Sequence, residues 1–108
     1  MTVSMLLENK VTGEVITDVP ISFQSVFMER WLPLGEKLGL HTIPLYLGSI
    51  VARQGNTQEI IDDLYRLRDY LIQNRNEDLA EYMINNIDRL IPYLEEIEAN
   101  PNLEGSFG

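Results

Sequence analysis

His41 is the only histidine in a 108-residue chain that contains no cysteine. A zinc or iron site would have to complete that single imidazole with carboxylates from elsewhere, and no Glu-x-x-His pair of the di-iron bundle kind occurs. Ser4, Ser22, Ser25, Ser49 and Ser106 stand in no Gly-x-Ser-x-Gly context, and only His41 could serve any of them as a base. Gly35 and Gly39 are four apart but are not followed by Lys-Ser or Lys-Thr, so there is no phosphate-cradling loop. The neighbouring acids Asp62-Asp63 and Glu95-Glu96 diverge by about 100° on a helix and cannot close on one metal or substrate. Nor do the acids follow the spacing of an EF-hand loop. The residue types therefore predict no catalytic group, no metal and no cofactor, and a non-enzymatic protein is expected.

What the chain has in excess is negative charge. The formal net charge is −9, and residues 77–108 carry eight acids against Arg89 alone. Read as a helix, Glu77–Glu98 gathers Leu79, Met83, Ile87, Leu90, Leu94 and Ile97 within roughly 80° of one another. Glu77, Asp78, Glu81, Asp88, Glu95 and Glu96 gather on nearly the opposite face, within an arc of roughly 100°. Such a stripe repels phosphate backbones, which disfavours nucleic acid as a partner, and it speeds encounter with a basic protein. The expected function is a small binding module, of inhibitor or antitoxin-like type, that engages a basic protein partner through this acidic face. The alternative is a homodimeric structural or interaction protein whose charge serves solubility.

Arg30 and Arg68 each fall inside the apolar face of a helical segment. An arginine so placed can snorkel its head into water, pair with an acid of a neighbouring helix, or join a second arginine to hold an anion. The third arrangement requires the two to converge. Met28 and Leu32 lie away from the main apolar face of their segment, and Tyr82 and Tyr93 lie at the margin of theirs. Those residues are the candidate contacts of a two-fold homodimer.

The elements that must position these groups read as follows. Residues 2–8 and 14–19 are β-rich and separated by a turn containing Gly13, which predicts a β-hairpin stopped by Pro20. Ser22 is placed to cap a helix running to Leu38, with Gly39 as its left-handed terminator; Pro33 is an internal breaker that predicts a kink near Arg30–Leu32 or two short helices. Residues 40–55 fit either an edge strand or a helix opened by Pro44. Asn56 and Glu59 form a capping pair for a helix over 56–74, and a polar link leads into the helix over 77–98, which Pro92 should bend. The expected fold class is α+β, the hairpin packed on three helices with the last two antiparallel; a mostly helical bundle is the alternative. Residues 1–99 are expected to form one compact domain and residues 100–108 a loose tail. No stretch approaches the roughly 20 apolar residues of a membrane span, and Met1–Glu8 lacks the basic start of a signal peptide, so a cytoplasmic location is expected.

Overall fold

Gly13 adopts φ +75°, a conformation open to glycine, and closes the turn between β1 (Thr2–Asn9) and β2 (Val15–Phe23). The Asn9 side chain helps, its Oδ1 accepting the Val11 and Thr12 N–H groups at 2.9 and 3.2 Å. The computed structural model describes all 108 residues, Met1–Gly108. The helical run α1 comprises Gln24–Val26, a π-helical turn Phe27–Trp31 and Leu32–Leu38. After it come a 3₁₀ turn (Ile43–Leu47), β3 (Val51–Ala52), α2 (Thr57–Gln73), α3 (Ala80–Ala99) and β4 (Leu103–Phe107). The fold is α+β: an antiparallel sheet in the order β2-β1-β4-β3 with the helices packed on it, α2 and α3 forming an antiparallel pair.

Several sequence expectations need correction. Pro20 does not stop β2, which continues to Phe23. The strand lies at the sheet edge, and Pro20 sits beside a register shift between Val3 and Ser4, so its missing N–H breaks little of the ladder. Ser22 consequently remains in β2, donates its hydroxyl to the Phe23 carbonyl, and caps nothing. The irregularity expected before Pro33 is present as a π turn rather than a break: the turn widens, and the Leu32 N–H reaches back to the Phe27 carbonyl. A π turn of this kind gives the pyrrolidine ring room against the preceding turn. Gly39 does take the left-handed position, at φ +69°.

The undecided stretch 40–55 turns out to be both short helix and strand. Pro44 opens the 3₁₀ turn, and the strand comes later, at Val51–Ala52. Asn56 occupies the position before α2 but does not cap it. Its Nδ2 donates to the Val51 carbonyl and its Oδ1 accepts from the Arg53 N–H, so the side chain ties the loop instead. The last helix begins at Ala80 rather than Glu77, because Leu79 adopts φ +62° and a left-handed residue cannot sit within a right-handed helix. Leu79 thereby leaves the predicted seam and is 41% exposed. Pro92 lies inside α3, which continues unbroken to Ala99.

The largest correction is at the C-terminus. Residues 100–108 are not a loose tail, for β4 lies between β1 and β3 and pairs with both. Leu103 and Phe107 belong to the same buried cluster as Met5, Trp31, Leu64 and Ile97, so the domain does not end at 99. Gly105 is required there by space: a Cβ would stand 2.5 Å from the Met5 sulfur and 3.1 Å from Ile97 Cδ1. Across the core, the rings of Trp31, Phe27, Tyr46 and Phe107 stack in series.

Candidate binding groove on the helical hairpin

The seam between α2 and α3 is open along one side. Gln58, Ile61, Tyr65 and Arg68 follow one another at three- and four-residue steps on α2, and on α3 Asp88, Ile91 or Pro92, Glu95, and Glu98 or Ala99 do the same. Residues so spaced share a helix face. Together they line two adjoining depressions, of about 400 and 240 Å³, that have Glu95 in common. Ile61 and Ile91 are buried at the floor, Tyr65 is 45% exposed at the side, and carboxylates occupy the rim. The result is a pair of open depressions with isoleucines at the base and Asp88, Glu95, Glu98 and Arg68 around them.

The predicted acidic stripe does not survive as one surface. Glu77 and Asp78 precede α3: Arg30 pairs with the Glu77 carboxylate, and its Nε donates to the Asp78 backbone carbonyl at 3.1 Å, while the exposed Asp78 carboxylate is in no ion pair. Tyr70 also donates to Glu77, at 2.8 Å. The Arg30 and Tyr70 hydrogen bonds hold the Glu77 carboxyl below the ordinary glutamate range. Glu81 pairs with Arg75, and Asp88 pairs with Arg68 through contacts of 2.5 and 3.4 Å. The Asp88 hydrogen bond raises the Arg68 pKa further. Glu95 and Glu96, both exposed, take part in no ion pair.

Arg30 and Arg68 therefore share no ligand, since each is engaged by a different acid. The internal ion pair is the arrangement they adopt, with both side chains partly open to solvent, and the shared anion pocket is not formed. A further acid has a structural task. Glu98 reaches from α3 to the start of α2, where its carboxylate accepts from Thr57 Oγ1 and from the Gly55 N–H at 3.2 Å. These bonds, Thr57 foremost, lower the Glu98 pKa, and the helix dipole favours an anion there. The expected capping pair Asn56 and Glu59 does not cap α2; the side chain that meets this end lies on another element.

Met28 is 47% exposed on α1, while Leu32, Tyr82 and Tyr93 are half-buried against the core. Tyr82 is engaged within the chain, its ring parallel to that of Phe23 at 6.2 Å and its hydroxyl accepting the Phe23 N–H. His41 is exposed and shares a shallow depression with Glu36, with no hydrogen bond between them. No group of three or more potential metal ligands converges anywhere in the chain. No helix is long and apolar enough to cross a membrane. The groove residues Gln58, Ile61 and Tyr65 went unremarked in the sequence as a site; their i, i+3, i+7 spacing was the available signal, but it reads equally as the margin of a core seam. No protein-family model matches the chain, no curated protein matches its sequence, and no solved structure matches its fold.

Proposed function

We propose that this chain is a small, non-catalytic binding module, inhibitor or antitoxin-like in character, that receives a basic segment of a partner protein in the α2–α3 groove. The observation that carries the reading is the position of Glu95: unpaired, exposed, and common to both depressions above the Ile61–Ile91 floor. An apolar floor and an anionic rim suit an amphipathic segment bearing arginine or lysine, the floor supplying affinity and the rim steering and orientation. The expected stripe is thus narrowed. Glu77, Glu81 and Asp88 are paired with arginines of the same chain; of the expected stripe Asp78, Glu95 and Glu96 stay unpaired, and Glu95 is the one of these that lines the groove.

Two baits used in parallel with the wild type test this reading. One carries Glu95→Gln with Glu96→Gln; the other carries Glu77→Gln and Glu81→Gln, neither of which lines the groove. Capture from the native source at low salt should be lost with the first bait and kept with the second. It should also fall as salt rises, because the screening length shortens from about 10 Å at 0.1 M to about 3 Å at 1 M. A partner held equally by all three baits would remove the groove from the account.

A second reading, self-association, is favoured by β2. That strand forms a sheet edge with Val15, Ile16 and Phe23 exposed along it. An open edge can pair with a second copy, although Pro20, Asp18 and the register shifts guard this one. Light scattering separates the two readings, a monomer at all concentrations removing the dimer.

A further inference from the structure

In a chain this acidic, a pocket with an arginine and no carboxylate stands apart. Thr2, Pro20, Ile21, Ser22, Phe23, Tyr82, Asn86 and Arg89 line a recess of about 230 Å³ between the end of β2 and α3. None of them is acidic, and none belongs to the α2–α3 groove. Arg89 is the only base among residues 77–108 and takes part in no ion pair. Its side chain is nevertheless held, because one Nη donates to Asn86 Oδ1. That contact orients the guanidinium and leaves its remaining N–H groups without a protein acceptor.

The neighbouring groups are donors as well. Asn86 is 5% exposed, and with Oδ1 occupied by Arg89 its Nδ2 amide donates to no protein atom. The Tyr82 hydroxyl accepts from the Phe23 N–H at 3.3 Å, so its own proton remains to be given. Beside these donors the Phe23 ring, 58% exposed, lies parallel to Tyr82 at an interplanar angle of 3°. Three residues that line the recess thus carry free donors, beside one aromatic ring, on a strand end and a helix that are both packed on the core.

We infer that this recess is a binding site for a small monocarboxylate with an aromatic or apolar body. The carboxylate lies on the Arg89 guanidinium, a planar fork matched to that group, with Asn86 Nδ2 and Tyr82 Oη as further donors. The body lies on Phe23. The volume is below that of a drug-sized pocket, which restricts the ligand to a compact molecule.

Phenylacetate is the probe, followed by ¹H–¹⁵N correlation spectra that include the arginine Nε signals. Saturable shifts at Tyr82, Asn86 and Arg89 are expected below about 10 mM, the weak range fitting so small a ligand. The uncharged analogue phenylacetamide and the variant Arg89→Gln should each bind at least about tenfold more weakly. Tyr82→Phe, which keeps the ring stack and removes one donor, should weaken binding about threefold or more while leaving the spectrum folded. Equal binding of phenylacetate and phenylacetamide, retention in Arg89→Gln, or no saturable shift would overturn the assignment. Inorganic phosphate shifting the same signals as strongly as phenylacetate would also overturn it, since a bare anion has no use for the aromatic wall. None of these outcomes depends on the α2–α3 groove, so the two proposals succeed or fail separately.

Discussion

Replacing Phe107 by alanine is the sharpest test of the architecture, because it attacks the strand least visible in the sequence. Phe107 is 5% exposed, and its ring stacks on Tyr46 at a centroid distance of 4.5 Å. Tyr46 in turn stacks on Phe27, and Phe27 on Trp31 at 5.8 Å. Truncation of a buried phenylalanine to alanine costs about 3–5 kcal/mol, through lost burial and the cavity left behind. Met5, opposite Phe107 on β1, and the stacked Tyr46 are both fully buried and cannot collapse far into that space, so the upper half of the range is expected. Since 1 kcal/mol moves Tm by about 4–8 °C in a domain near this size, the melt should fall by at least about 16 °C. Trp31 is the only tryptophan, and its fluorescence reads the far end of the same aromatic series. Deleting residues 101–108 should go further: it strips a whole strand from both β1 and β3, and a loss of that order approaches the roughly 5–15 kcal/mol that stabilises a small domain. No cooperative melt should then remain. A Phe107→Ala protein within about 1 kcal/mol of wild type in urea would refute β4 as a core strand.

Stability should fall in acid in a defined sense. Glu77 and Glu98 titrate below the ordinary value of 4.5 in the folded chain, so their stabilisation is complete above that value and drains as pH falls through the lowered folded values. Melting curves from about pH 6 down to about pH 3 should show this, and Glu77→Gln and Glu98→Gln should each flatten the acid limb. Tyr46→Phe should be neutral or stabilising, as the buried hydroxyl meets no partner in hydrogen-bond geometry; a loss above about 2 kcal/mol in urea would mean that it does. Arg68→Ala should cost no more than about 1 kcal/mol, because the Arg68–Asp88 pair is partly exposed. Glu95→Gln should leave stability within about 0.5 kcal/mol, confirming that this acid is free for other uses.

The parts of the fold legible in the sequence are those with one dominant period. The seams Ile60–Leu64–Leu67–Leu71 and Met83–Ile87–Leu90–Leu94–Ile97 are buried as their spacing requires. Gly13 and Gly39 ended their elements as expected, since a left-handed residue leaves glycine as the natural choice. The misses share a cause, which is that a long-range contact outweighed a local signal. Pro101, Gly105 and Gly108 read as a tail, yet Gly105 is small because Met5 and Ile97 crowd it. Pro20 reads as a stop, yet an edge strand tolerates it. The acidic stripe assumed that helical phase alone decides what a side chain meets. Leu79 broke the phase at Glu77 and Asp78, and arginines 47 and 20 residues away in sequence engaged Glu77 and Asp88. The Arg89 recess joins the end of β2 to α3, elements distant in sequence, and the groove depends on which margin of two neighbouring helices stays open; no spacing within one segment announces either.

The central claim is that a basic partner segment occupies the α2–α3 groove, and site-directed photocrosslinking addresses it most directly. Benzoylphenylalanine placed at Tyr65, exposed at the side of the groove, should form a salt-sensitive adduct in lysate of the native source. The same group at Met28, exposed on α1 outside the groove, should form none. The Tyr65 adduct should vanish when Glu95 and Glu96 are replaced by glutamine. An adduct from position 28 with none from position 65, or one from position 65 that ignores both salt and the Glu95/Glu96 replacements, would contradict the account.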